Sequence, residues 1–208
     1  MITIVDYGMG NLRSVQKALE ALGAEVCISG DPDAIHRAER LILPGVGAFG
    51  LAMQHLHQRG IAQALTESVI QQGKPLLAIC LGMELLLEES FEHGRHKGLG
   101  WLSGYVQRFE VGHLRVPHVG WNEIQVRGEA PLFKGLGAHL EFYFVHSYHV
   151  VAGNSDQVAA ITPYGYEFAS ALYHQNIFAT QFHPEKSQAL GLHVLRNFMQ
   201  WQPPLARV

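Results

Sequence analysis

The chain has 208 residues, 48% of them hydrophobic and 16% charged, with a formal net charge of −3. Against a usual charged fraction of ~25% this is an apolar-rich, charge-poor composition. It excludes a disordered chain and offers no basic field for nucleic acid or an anionic membrane, so neither is expected as a partner. The longest apolar run, Leu76 to Met83, contains a glycine and falls well short of the ~18 residues of a membrane span.

The opening residues, Met1 to Asp6, carry no basic region, so no secretory signal is expected and the chain reads as cytoplasmic. Met1–Val5 is a first strand, followed by the glycine-rich turn Asp6–Gly10. Asn11 stands where it would cap a helix running to Leu22, with Leu12, Val15, Leu19 and Leu22 at helical spacing and Gly23 as the stop. Ala24–Ser29 and Arg40–Leu43 read as strands, the second closed by Pro44. Gly45–Gly50 forms a glycine-rich loop, then helical sequence runs to about Gln58 and a further helix spans Ile61–Gln72. Pro75–Ile79 is a continuous apolar run, as expected of a strand buried on both faces, and Glu84–Glu89 reads as helical.

Beyond Gly104 the pattern changes to short strands: Tyr105–Val111, Trp121–Val126, Leu140–Val151, Gln157–Ile161, Glu167–His174 and Asn176–Phe182. Hairpins and further strands of the same sheet are expected there. Lys186–Trp201 closes the chain as a helix and Gln202–Val208 is a tail. Strands alternating with helices predict an α/β fold: one open, mostly parallel sheet flanked by helices, with extra antiparallel strands in the second half, forming a single domain over residues 1–201.

Three segments carry candidate chemistry. In Leu76-Leu77-Ala78-Ile79-Cys80-Leu81-Gly82-Met83-Glu84 an apolar strand runs into a cysteine and then a helix. That is the strand–turn–helix arrangement of a nucleophile elbow, and a helix N-terminus favours a thiolate. The competing reading is a buried structural cysteine. In Gln181-Phe182-His183-Pro184-Glu185, proline biases His183 toward an extended conformation, and residues i and i+2 of an extended chain share a face. An imidazole beside a carboxylate is the base-and-orienter pair that a cysteine nucleophile requires, although most strand histidines have no such role. Pro44-Gly45-Val46-Gly47 supplies peptides free to present N–H groups to an oxyanion, or an ordinary βα turn. Active sites of open α/β sheets lie outside the carboxyl ends of the strands, so a parallel last strand would bring all three segments to one edge.

These residues resemble the class I glutamine amidotransferases. Six segments in order narrow the likeness to the glutaminase branch that serves imidazole glycerol phosphate synthases: Asp6–Leu12, Pro44–Gly47, Cys80–Met83, Pro117–Asn122, Tyr143–Tyr148 and Gln181–Ser187. The resemblance implies a Cys80–His183–Glu185 triad that hydrolyses glutamine through a cysteine thioester. It also implies an oxyanion site at Val46, Gly47 and Leu81, and substrate contacts at Gly45, Glu84, His146, Ser147 and Tyr148. Ammonia would pass to a (β/α)8 cyclase held as a heterodimer through Asn11, Trp121, Asn122, Tyr143 and Lys186, a step of histidine biosynthesis. Two positions depart from the family pattern. Ala78 stands where glycine is usual, and Glu84 where glutamine is usual.

No cofactor or metal is expected. His55 and His57 diverge on a helix, and His93 and His96 lack companion ligands. Cys27 reads as inert core. The alternatives are a glutaminase serving another synthase, such as a paralogue used in surface-sugar amination, a non-catalytic subunit of the same fold, and a cysteine peptidase. The thirteen histidines have no account at this level beyond His183 and His146.

Overall fold

A computed structural model of the chain describes residues 1–128 and 130–204. In chain order its elements are β1 (Ile2–Val5), α1 (Leu12–Glu20), β2 (Val26–Ser29), α2 (Pro32–Arg37), β3 (Arg40–Gly45), α3 (Phe49–Gln58), α4 (Ile61–Leu65), β4 (Leu76–Cys80) and α5 (Leu81–Leu85). Then come β5 (Glu89–Ser90), β6 (His96–Lys97), β7 (Gly104–Arg108), β8 (His118–Glu123), β9 (Gln125–Val126), β10 (Glu141–His146) and β11 (Tyr148–Ala152). The last are β12 (Val158–Tyr164), β13 (Tyr166–His174), β14 (Ile177–Thr180) and α6 (Gln188–Gln200).

The expected α/β architecture is present. A parallel block runs β2-β1-β3-β4-β14, and antiparallel β13 continues the sheet toward β11, β7, β5 and β6. Strand β4 lies between β3 and β14, with Ala78 opposite both Leu43 and Ala179. Its alternate residues face two cores. Leu76 and Ala78 pack with Leu41, Leu43 and Phe49 on one side of the sheet. Leu77 and Ile79 pack with Phe142, Phe178, Phe182 and Phe198 on the other. This is why the strand reads as an unbroken apolar run. No helix among the described residues is long and apolar enough to cross a membrane.

Several elements differ from the sequence reading. Asn11 occupies the N-cap position of α1, yet its side chain makes no capping bond. Helix α2, started by Asp31, whose carboxylate accepts from the Asp33 N–H at 3.1 Å, has no long apolar periodicity and was not read. Strand β3 continues through Pro44 to Gly45. The second helix of the pair after β3 is α-helical only to Leu65, then relaxes into a π turn over Thr66–Gln71.

The helix expected over Glu84–Glu89 instead ends at Leu85. The following loop caps it: Leu99 N–H donates to Leu85 O at 2.8 Å and Trp101 N–H to Leu86 O at 2.9 Å, so the last carbonyls are taken and the helix stops. The strand expected over Leu140–Val151 divides at Ser147. Among the described residues its first half pairs only with β8, as a separate two-stranded ribbon, and its second half enters the main sheet beside β7. Cys27 is half-buried on the outermost parallel strand rather than in the core. Of the expected tail, Leu205–Val208 lies outside the described residues.

Candidate active site

Strand β4 ends at Cys80, and α5 begins at the next residue. The turn is achieved by Cys80 itself, whose φ of 56° and ψ of −114° lie in a region that favours glycine. Such a residue costs roughly 1–3 kcal/mol and persists only where its surroundings hold it. They do so here. A Cβ placed on Gly82 would stand 1.9 Å from Leu43 O, so only glycine lets α5 approach β3 this closely. The elbow therefore follows from an apolar strand, a small residue two positions after the cysteine, and a strained cysteine between them. Ala78 is fully buried and not at positive φ, so its methyl is accommodated.

Strand β14 runs parallel to β4, with Thr180 opposite Ile79. The chain leaving it places His183 at the same edge. His183 is extended before Pro184, as expected, but Pro184–Lys186 forms a 3-10 turn rather than continuing extended. The turn, not strand alternation, brings Glu185 back to His183. His183 Nδ1 lies 2.8 Å from Glu185 Oε1, and both side chains are almost wholly enclosed. A carboxylate only accepts, so Nδ1 carries the proton and Nε2 is left for chemistry. His183 Nε2 is buried and makes no hydrogen bond among the described residues. Burial alone disfavours the imidazolium, but the neighbouring Cys80 and then Glu185 outweigh it and push the His183 pKa up to about 10. At neutral pH His183 is thus an imidazolium.

The supporting contacts come from other elements. Asn11, at the start of α1, donates to Glu185 Oε1 at 3.3 Å and accepts from Ser14 Oγ at 2.8 Å. Strand β10 brackets the His183 loop. The His183 N–H donates to Tyr143 O at 2.9 Å, the Tyr143 N–H donates to Ser187 Oγ at 3.0 Å, and that hydroxyl donates to His183 O at 2.6 Å.

A cleft of about 660 Å³ opens over the cysteine, lined by Val46, Gly47, Cys80, Leu81, Glu84, His146, Ser147 and Tyr148, together with Glu92, Arg108 and Lys186. It brings together the expected nucleophile, oxyanion residues and most of the expected substrate contacts. Val46 is 40% exposed and Gly47 has a φ of +106°, so the loop presents its backbone to the cleft. Gly45 is placed differently. It is buried behind the loop, where a Cβ would meet Tyr7 Oη at 2.5 Å and Leu81 Cβ at 2.8 Å. A larger apolar cavity of about 870 Å³ between Ile124, Phe133 and Trp201 contains none of these groups.

Glu84 is buried, and its Oε1 accepts from Gln181 Nε2 at 2.9 Å. Burial pushes its carboxyl up to about 8. The Gln181 bond opposes that shift and the charge of Glu92 adds to it. At neutral pH Glu84 is therefore an uncharged acid, not the thiolate-repelling carboxylate that its residue type alone implies.

The expected interface residues divide. Trp121 and Tyr143 are cross-strand partners with ring centroids 6.2 Å apart, and Lys186 Nζ lies 5.7 Å from the Tyr143 centroid, forming one continuous patch. Asn122 is on the opposite face of β8, where it donates to His118 Nε2 at 3.2 Å and to Pro163 O at 3.0 Å. Asn11 is turned toward the triad. Residues not foreseen are Glu92, Gln181 and Tyr7. Glu92 accepts from the Phe49 N–H at the start of α3. Gln181 Nε2 lies 3.9 Å from Cys80 Sγ as well as on Glu84. The Tyr7 hydroxyl is buried and makes no hydrogen bond among the described residues, and burial, then Cys80 and Glu84, push its pKa far up. Gln181 was legible as part of its motif, whereas Glu92 sits in a loop whose path only the fold defines.

The sequence model of the family described as "Glutamine amidotransferase class-I" matches residues 3–201. The chain is 46% identical over 202 residues to "Imidazole glycerol phosphate synthase subunit HisH" of Acinetobacter baylyi, covering 96% of this chain and 98% of that one. It is 48% identical over 204 residues to the protein of the same name from Syntrophotalea carbinolica, covering 95% and 98%. Among solved structures it resembles "Structure of PurLQS from Thermotoga maritima", with a TM-score of 0.74 at 20% identity, over 96% of this chain and 97% of that one.

Proposed function

The chain belongs to the glutamine amidotransferase class-I family, and from that premise we propose that it is the glutaminase subunit of an imidazole glycerol phosphate synthase, acting in histidine biosynthesis. The observation that carries the chemistry is the enclosed His183–Glu185 pair set at the sheet edge beside the strained Cys80. Cys80 Sγ attacks the side-chain amide carbon of glutamine. The imidazolium of His183 returns its proton to the departing nitrogen, which leaves as ammonia, and a γ-glutamyl thioester remains. Neutral His183 then takes a proton from water, the resulting hydroxide opens the thioester to glutamate, and His183 hands that proton to the departing sulfur, restoring the thiol. Glu185 holds the ring so that Nε2 faces the reacting atoms.

The oxyanion is assigned to the peptide N–H groups of Val46, Gly47 and Leu81, donors whose individual loss costs roughly 3–4 kcal/mol in comparable hydrolases. Glu84, Ser147 and Tyr148 are assigned to the amino-acid end of glutamine, with Glu92 added from its place in the cleft. The partner is a (β/α)8 cyclase subunit, docked on the Trp121–Tyr143–Lys186 patch. Residues 1–201 act as one catalytic domain.

The test is glutamine hydrolysis by this chain alone and with the cyclase subunit and its nucleotide ligand. Low activity alone and a large rise in the ligand-bound complex are expected, with Cys80→Ala abolishing both. High activity independent of the partner, or activity surviving Cys80→Ala, contradicts the assignment.

A further inference from the structure

Around Phe109 lie three buried histidines, His118, His146 and His149, with Phe109 ring centroids 6.3, 5.1 and 4.6 Å away. Burial lowers the pKa of His118 to about 4 and of His146 to about 3, and lowers that of His149 as well, so all three are neutral near pH 7. A neutral imidazole has one donor and one acceptor, and the contacts fix which nitrogen is which. His146 Nδ1 is 2.7 Å from the Tyr148 carbonyl, which only accepts, so Nδ1 carries the proton. His146 Nε2 must then accept, and its partner at 2.9 Å is His118 Nδ1, which is therefore protonated. His118 Nε2 accepts in turn from Asn122 Nδ2 at 3.2 Å. Asn122 is anchored independently on Pro163 O of β12. The chain has a single direction from Asn122 to Tyr148, and both nitrogens of each ring are used.

Its end point is the place where the backbone changes sheets. β10 pairs with β8 up to His146, and β11 joins the main sheet from Tyr148. The corner between them is Ser147, and Ser147 and Tyr148 line the cleft over Cys80. His118 and His146 face each other in the ribbon register. His183 lies close enough for its charge to act on His146.

We infer that His118 is a positioning residue for glutamine: through His146 it holds the Ser147–Tyr148 corner in the shape that receives the amino-acid end of the substrate. This deepens the glutaminase reading and rests on it. His118 touches no reacting atom. It acts by donating from Nδ1, and the same ring in its other tautomer leaves His146 Nε2 unsatisfied in a low-dielectric interior, where an unmade bond is costly.

Two conservative variants separate the halves of the chain, tested in the complex. His118→Asn keeps an N–H donor near the position of Nδ1 and gives up the bond from Asn122. His118→Gln keeps a polar group near Nε2 and gives up the donor to His146. His118→Gln is expected to raise KM for glutamine about tenfold with kcat moved less than about twofold, while His118→Asn stays within about threefold of the parent KM. Alkylation of Cys80 by iodoacetamide, which lacks an amino-acid end, should be equally fast in both variants. Alkylation by a glutamine-shaped diazoketone should slow only in His118→Gln.

An unchanged KM in His118→Gln, or equal losses in both variants, overturns the inference. A measurement on the unaltered chain stands apart from any folding defect. Ring ¹⁵N shifts should report the Nδ1–H tautomer for both His118 and His146 at neutral pH. The commoner Nε2–H form at either ring overturns it. If the unaltered complex does not hydrolyse glutamine at all, the functional reading fails while the tautomer measurement still decides the relay.

Discussion

At the scale of single residues, Cys80 and His183 were legible because their neighbours in sequence are also their neighbours in space. A strand leads into one, and a proline follows the other. Glu185 was legible for an incomplete reason. Extended alternation was expected, and a 3-10 turn supplies the contact. The charge of Glu84 was not legible, because residue type says nothing of burial. In the folded chain it keeps its proton up to about pH 8, whereas its ordinary value is 4.5. Between those limits the folded state holds a proton that the unfolded state has released. The stabilisation from Glu84 is therefore full below about pH 4.5 and declines as pH rises to about 8, over a total span on the order of 5 kcal/mol. Glu84→Gln removes the titration. Its melting temperature should gain on the parent's by several degrees between pH 5 and pH 8, and the parent's KM for glutamine should climb above pH 8 while the variant's does not. Parallel pH profiles for the two proteins would refute the neutral-acid state.

At the scale of elements, the parallel block was readable because its strands alternate with helices along the chain, α2 excepted, so local pattern and long-range pairing agree. The ribbon of β8 and β10 was not readable. Its strands are 17 residues apart (Glu123 to Glu141 exclusive), and nothing in Leu140–Val151 marks Ser147 as the change of partner. The apolar alternation continues across it. The elbow is the element most sensitive to volume. Gly82→Ala sets a methyl 1.9 Å from Leu43 O, backbone against backbone, with no flexible side chain to yield. The expected loss is more than about 3 kcal/mol, beyond an ordinary point change, read as a lowered denaturant midpoint together with loss of Cys80 reactivity. Gly50→Ala, whose nearest contacts are all with the His96 ring, a side chain that can give way, should cost far less. Equal costs would mean that α5 can slide.

At the scale of the whole molecule, the fold sets Cys80, His183 and a cleft at one sheet edge, and leaves Trp121 at 46% and Val119 at 55% exposure on the outer face of the ribbon. Exposed aromatics of this kind anchor interfaces. Trp121→Ala should weaken cyclase binding about thirtyfold, measured by titration calorimetry, an amount typical of an anchoring residue. Unchanged affinity would move the docking surface elsewhere. The same ribbon grips the His183 loop through Tyr143, so the proposed docking face and the proposed catalytic base belong to one connected piece. The seam between β4 and β14 has a further consequence. Leu76 sits beside Ile177, and Cys80 reaches its base only across that join. A ribosome making this chain finishes Cys80 a hundred residues before it makes His183, its proposed base. Every unfinished chain therefore carries the cysteine without its proposed base, and the two meet only when the closing strand takes its place beside β4.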